Sequence, residues 1–110
     1  MKKLKCIFIG FGKHAENYGK VCKYLNVEIR AVCVTNPKNY LIEKKEYKIK
    51  NIYSNYIELL KKEKYDFVMV FLPWYKIEKH LPNIIKNSKK NIFCEKPVAL
   101  SLKKILKINS

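Results

Sequence analysis

Six residues near the amino terminus, Gly10-Phe11-Gly12-Lys13-His14-Ala15, have the types and spacing to hold a phosphate chain. They fit the pattern G-x-G-x-x-G/A, and each small residue has a physical task. Gly10 permits a tight turn, and Gly12 lets backbone approach a pyrophosphate with no Cβ in the way. Ala15 is small enough for a helix to pack closely on a sheet. A helix beginning here offers its first backbone N–H groups and the positive end of its dipole to the phosphates. Phe11 lies within the turn, and Lys13 and His14 follow on the first helical turn, within reach of the same phosphates. An ordinary strand-to-helix turn that merely needs glycine fits these spacings too, so the surrounding elements must decide.

Those elements alternate. Leu4 to Gly10 is a nearly continuous apolar run, as in a parallel strand covered on both faces. Ala15, Tyr18, Cys22 and Leu25 recur at helical spacing over Lys13–Leu25. Val27–Val34 is a second strand, closed by the turn chemistry of Thr35-Asn36-Pro37. Between Lys38 and Lys50, Leu41-Ile42 suggests a short helix and Tyr47-Lys48-Ile49 a weak edge strand. Ser54 is the expected N-cap of a helix running to Lys62. Phe67–Leu72 is the strongest strand, ended by Pro73. Lys76–Asn87 is a helix in which Pro82 is expected to cause a kink or restart. Asn91–Glu95 is a fifth strand, and Ser101 caps a last amphipathic helix through Ile105 and Ile108. The expectation is a single α/β domain over residues 1–110, a doubly wound Rossmann-type parallel sheet of about five strands in the order 3-2-1-4-5. Ligands of such sheets sit where the strand order reverses, at the carboxyl end of strand 1, and that is where the glycines are.

Composition limits the alternatives. The net charge of +15 suggests a nucleic-acid partner, but Arg30 is the only arginine among 24 basic residues. Proteins that read bases or clamp phosphates draw on arginine's bidentate fork. The lysines are spread evenly, so no specific nucleic-acid role is expected. Cys6, Cys22, Cys33 and Cys94 show no metal-ligand spacing, and three of them lie in apolar strands. No metal is expected, and the thiols suit a reducing, cytoplasmic setting. The basic and apolar start imitates a signal peptide, but it is too short and too quickly polar; no run approaches a membrane span.

Three stretches resemble the Gfo/Idh/MocA family of oxidoreductases, the relatives of glucose–fructose oxidoreductase and inositol dehydrogenase. They are Ile9 to His14, then Tyr65-Asp66-Phe67-Val68-Met69-Val70-Phe71-Leu72-Pro73, then Cys94-Glu95-Lys96-Pro97-Val98-Ala99-Leu100-Ser101. The last is similar to the family's E-K-P motif and is the most specific of the three. The resemblance implies a domain that binds NADP or NAD, with Leu72, Pro73 and Trp74 bordering the cofactor at the proline-ended turn. It implies that Lys96 lies near the nicotinamide as the catalytic residue, held by a loop that Glu95 and Pro97 fix. It also implies hydride transfer with a sugar-, polyol- or imine-type substrate.

The chain departs from the family in three ways. The family often carries histidine four residues after the strand-4 proline, where this chain has Ile77; His80 falls three positions later and is not a substitute. The end of strand 2 lacks the carboxylate that usually binds the ribose hydroxyls of NAD. Thr35, Asn36 and Lys38 stand there instead and favour NADP. The family's α+β substrate domain is not expected within residues 1–110, so catalysis by these residues alone is not expected. The chain is then a truncated gene product or an excised domain, with a homo-oligomer or a partner chain as a further source of the substrate half. The alternative is a non-catalytic nucleotide-binding or sensor module that uses the glycine turn and dispenses with Lys96.

Overall fold

Alternation in the apolar strands sends successive side chains to opposite faces, and each face acquires its own core. A computed structural model describes residues 3–88 and 90–94 of the chain. Strands β1 (Lys5–Ile9), β2 (Glu28–Cys33), β3 (Asn51–Tyr53), β4 (Phe67–Val70) and β5 (Asn91–Cys94) form one sheet in the order β3-β2-β1-β4-β5. Every neighbouring pair is parallel. The crossovers are α1 (Lys13–Tyr24), α2 (Leu41–Glu46) after a 3-10 turn at Pro37–Tyr40, α3 (Tyr56–Lys62) and α4 (Trp74–Asn87).

On one face, Ile7 and Ile9 pack with Leu59 and Leu60 of α3 and Ile77, Leu81 and Ile84 of α4. On the other, Cys6 and Phe8 pack with Ala15 and Cys22 of α1 and with Tyr47 and Ile49 beyond α2. The Cys6 and Cys22 sulfurs are 3.9 Å apart as free thiols. The hydrogen bond with Cys22 and then burial push the Cys6 thiol well above its usual range, so it serves as a small hydrophobe.

The expected sheet and strand order are present, and four local details differ. Tyr47 to Ile49 is not a strand. Tyr47 caps α2 through a bond from its N–H to Glu43 O, and Lys48 takes a left-handed φ of 54°. Extension cannot begin there, so Tyr47 and Ile49 drop into the core and β3 starts at Asn51. The cap of α3 is Asn55 rather than Ser54: its Oδ1 accepts from the N–H groups of Ile57 at 2.9 Å and Glu58 at 3.2 Å. Helix α4 starts two residues early, at Trp74, because the Pro73 carbonyl already accepts from Lys76 and Ile77. The same helix runs unbroken through Pro82, flanked by the buried Leu81 and Ile84. The expected helix after Ser101 lies outside the described residues.

The single arginine is structural. Register slips between Cys6 and Ile7, whose partners on β2 are Ile29 and Ala31, so Arg30 is the extra residue of a β-bulge. Its side chain turns to Glu28 and Glu63, both at 3.3 Å. Glu63 is only 6% exposed, and it also accepts from Asn51 and from the Tyr53 hydroxyl. Burial and this carboxylate push the Tyr53 hydroxyl up to about 12. Glu63→Ala strands the Tyr53 and Asn51 donors and is expected to cost about 2 kcal/mol, read as a lower urea midpoint with unchanged slope.

Candidate functional site

The carboxyl ends of β1, β2 and β4 open onto a cleft of about 490 Å³. It lies where the strand order reverses, as a doubly wound sheet requires. A second concavity, of about 480 Å³, lies beside Lys5, Asp66 and Lys90 at the opposite ends of the strands. The two are alike in size, so volume does not choose between them; the glycine turn does, and it borders only the first.

Gly10 and Gly12 are glycine for different reasons. Gly10 has φ +90°, and a Cβ on it would stand 2.6 Å from the Phe71 carbonyl oxygen. It is demanded by its own backbone and by the close pass of β1 against the end of β4. Its N–H bonds Cys33 O at 2.8 Å, which ties the turn to β2 as well. At Gly12 a Cβ would meet no atom within 4 Å. Nothing in the fold requires glycine there; the space is open on the ligand side. Gly12 is also the N-cap of α1, and no side chain caps that helix. Ala15 is 1% exposed, tight against the sheet. A pyrophosphate therefore fits: open space over Gly12, an uncapped helix start, and no carboxylate among the described lining residues to repel it.

The remaining sequence-derived residues are distributed as follows. Phe11 borders the cleft, but its ring is turned into the core, edge-on to Phe8 at 5.1 Å and Tyr47 at 5.6 Å. Gly19 makes room for that ring, since a Cβ there would meet Phe11 Cζ at 3.0 Å. Thr35, Leu72 and Pro73 line the cleft. Asn36 is exposed at the start of the 3-10 turn, outside the lining. Lys13 and His14 are exposed on α1 and also outside it; the His14 ring sits near Tyr18 and Phe71, at 5.7 and 6.0 Å. Trp74 opens α4. Glu95, Lys96 and Pro97 lie outside the described residues.

Tyr40, Ser54, Tyr56 and His80 are among the lining residues that sequence reasoning does not assign to the site, and Lys76 joins them in the lining. Ser54 and Tyr56 follow β3, whose position the sequence did not give. The spacing of His80 does not match the family histidine, so the motif does not point to it. Ile77, at that spacing, is a core residue, 2% exposed. One turn further on, His80 faces the cleft and shares a 3.1 Å hydrogen bond with the Tyr56 hydroxyl. Burial first, then Lys79 and Lys76, hold its imidazole below the usual histidine range, so it is neutral at pH 7. Cys33, also in the lining, has its thiol pushed up to about 11 by burial, which leaves it unreactive. Among the described residues no cluster of His, Cys, Asp and Glu is able to hold a metal ion. No described helix is long and apolar enough to cross a membrane.

Comparison with known proteins agrees with this geometry. The Gfo/Idh/MocA family model, described as an oxidoreductase family with an NAD-binding Rossmann fold, matches residues 4–109. No curated protein sequence matches. The structure is similar to myo-inositol 2-dehydrogenase from Lactobacillus plantarum, with a TM-score of 0.80 and 23% identity over 98% of this chain and 33% of that one. It is similar to scyllo-inositol dehydrogenase from Lactobacillus casei with bound NAD(H) and scyllo-inositol, with a TM-score of 0.82 and 15% identity over 97% of this chain and 33% of that one. The WlbA dehydrogenase from Bordetella pertussis, in complex with NADH and UDP-GlcNAcA, gives a TM-score of 0.79 and 16% identity over 97% of this chain and 34% of that one. The chain thus spans about a third of the length of these structures.

Proposed function

This chain belongs to the Gfo/Idh/MocA oxidoreductase family as its NAD-binding Rossmann domain, and on that premise we propose that residues 1–110 are the cofactor half of a hydride-transferring enzyme. The observation that carries the reading is the open space over Gly12 at the uncapped start of α1. Backbone N–H groups there would hold the pyrophosphate, and Gly10 would keep the turn in place. Thr35, Leu72 and Pro73 would border the adenosine and its linkage, with Asn36, Lys13 and His14 at the margin and Phe11 bracing the turn from below.

When bound, the nicotinamide supplies the hydride acceptor or donor for a sugar-, polyol- or imine-type substrate. Lys96, carried over from the family's E-K-P motif, would hydrogen-bond the substrate oxygen through its ammonium and assist the proton transfer, with Glu95 and Pro97 fixing its loop. Trp74, next to the proline-ended turn, would border the cofactor as the family resemblance implies. The substrate pocket would lie outside residues 1–110. The buried thiols of Cys6, Cys22 and Cys33 would suit a reducing, cytoplasmic setting.

NADP is favoured over NAD. The cleft lining contains Lys76 and no Asp or Glu among the described residues, so nothing there repels a 2′-phosphate or chelates free ribose hydroxyls. Saturating NADPH, at one hundred times its Kd, is expected to raise Tm by about 10 °C through linkage. NADPH should bind at least as tightly as NADH, with a margin that widens at low salt as Lys38 and Lys76 are less screened. A clear preference for NADH would show that some other group holds the ribose. No shift with either cofactor would end the cofactor reading.

A further inference from the structure

One wall of the cleft comes from α3 and α4, and no residue on it belongs to the glycine motif. Tyr56 opens α3 and His80 lies midway along α4. They join the two helices through the hydroxyl–Nδ1 hydrogen bond of 3.1 Å, with their rings edge to face at 5.5 Å. Lys76 precedes His80 by one helical turn and lines the same cleft, so its ammonium and the imidazole share a helix face. Among the described residues the side chain of His80 bonds to Tyr56 through Nδ1, which leaves Nε2 for the cleft.

Resting on the reading of this cleft as a dinucleotide site, we infer that Lys76 and His80 bind the phosphate ester on the adenosine ribose and so set the preference between NADP and NAD. The 2′-phosphate is then read from the α4 wall as well as from Thr35 at the end of β2.

The chemistry of the wall fits a phosphate monoester and not a free diol. A diol is recognised by a carboxylate that accepts from both hydroxyls, and the described lining has none. A phosphate dianion needs donors and positive charge. Lys76 is the one full positive charge in the described lining at neutral pH. His80 is a donor in either protonation state. When Tyr56 donates to Nδ1, the neutral ring carries its proton on Nε2; when the ring is protonated, Nδ1 donates back to the Tyr56 oxygen and Nε2 keeps its own proton. The titratable and charged groups around His80 are Tyr56 from α3, Lys76 and Lys79 from its own helix, and Tyr40 and Cys33 across the cleft. The two lysines disfavour the imidazolium, and an arriving dianion offsets them. NADPH binding therefore takes up a proton at His80, and NADH binding does not.

The test is calorimetric titration of the 110-residue chain with NADPH and with NADH between pH 6 and 8, for the wild type, Lys76→Met and His80→Gln. Lys76→Met, at an exposed position that leaves the core intact, is expected to weaken NADPH roughly tenfold and to flatten its salt dependence, with NADH little changed. His80→Gln keeps a donor but cannot charge. It is expected to remove the gain in NADPH affinity toward low pH, a gain that protonation of the 2′-phosphate itself near pH ~6 opposes. Equal weakening of both cofactors, or no change in the NADPH-to-NADH ratio in either variant, would overturn the inference while leaving the cofactor site standing. Failure of both cofactors to bind the wild type would overturn the cofactor reading and this inference with it.

Discussion

Gly12→Val is expected to abolish the cofactor-induced rise in Tm while leaving the unliganded domain folded, within about 1 kcal/mol of its original stability. Gly10→Ala is expected to do the opposite kind of damage. At Gly12 the backbone has φ −76° and ψ −171°, which any residue adopts, and an added Cβ meets nothing within 4 Å. A branched side chain therefore costs the fold only about 1 kcal/mol, the difference between glycine and an apolar residue at an N-cap. It stands, however, in the space through which the pyrophosphate must reach the start of α1. Loss of those charge-assisted contacts is worth at least ~100-fold in affinity. At Gly10 the φ of +90° and the 2.6 Å approach to Phe71 O leave no room for a methyl group. Gly10→Ala must push β4 away from β1 and is expected to cost about 3 kcal/mol or more, with binding lost only as the fold is lost. Urea denaturation with and without NADPH separates the two cases. A Gly12→Val chain that still gains stability from cofactor would sink the site, and a Gly10→Ala chain with wild-type stability would sink the account of the turn.

This pair of glycines also shows how far sequence reasoning reaches. G-x-G-x-x-A after an apolar run locates the turn, and strand–helix alternation gives the order of the sheet, because parallel crossovers leave few other topologies. Buried strands such as Phe67–Val70 are legible because their composition matches their environment. The segment from Lys38 to Asn55 is not. There Lys48 takes a left-handed backbone that lysine does not announce, two adjacent cap formers compete, and the longer Asn55 reaches both N–H groups. An error of a few residues in β3 hides Ser54 and Tyr56 from the site. His80 was hidden for another reason. A motif fixes spacing along the chain, whereas the cleft is shaped by which turn of α4 passes it, and the sequence pattern marks Ile77, Leu81 and Ile84 as core without showing what α3 brings opposite. What the sequence conveys poorly is contact between elements remote in the chain, such as the bond across 24 residues between Tyr56 and His80.

The last expectation concerns catalysis by these 110 residues. Hydride transfer requires the reacting carbon to be held within near-attack distance of the nicotinamide and shielded from water, and misplacement by about 1 Å costs on the order of 100-fold. The cleft described here is a groove bordered by strand ends on one side and by α3 and α4 on another. Lys96 would contribute one polar contact from the cofactor side, and the solved structures that match this chain are about three times its length. Residues 1–110 are therefore expected to bind dinucleotide and to show no measurable oxidation of polyols or sugars on their own. Lys96→Ala should leave dinucleotide affinity nearly intact, because the phosphates are held at Gly10–Gly12, some 80 residues earlier in the chain. The measurement is NAD(P)H absorbance in the presence of a polyol and sugar panel, with cofactor affinity determined on the same samples. Robust turnover by the purified chain that disappears in Lys96→Ala would refute this expectation and show that copies of the chain complete one another's sites. Binding lost together with Lys96 would instead move that lysine from the reacting end of the cofactor to its phosphates.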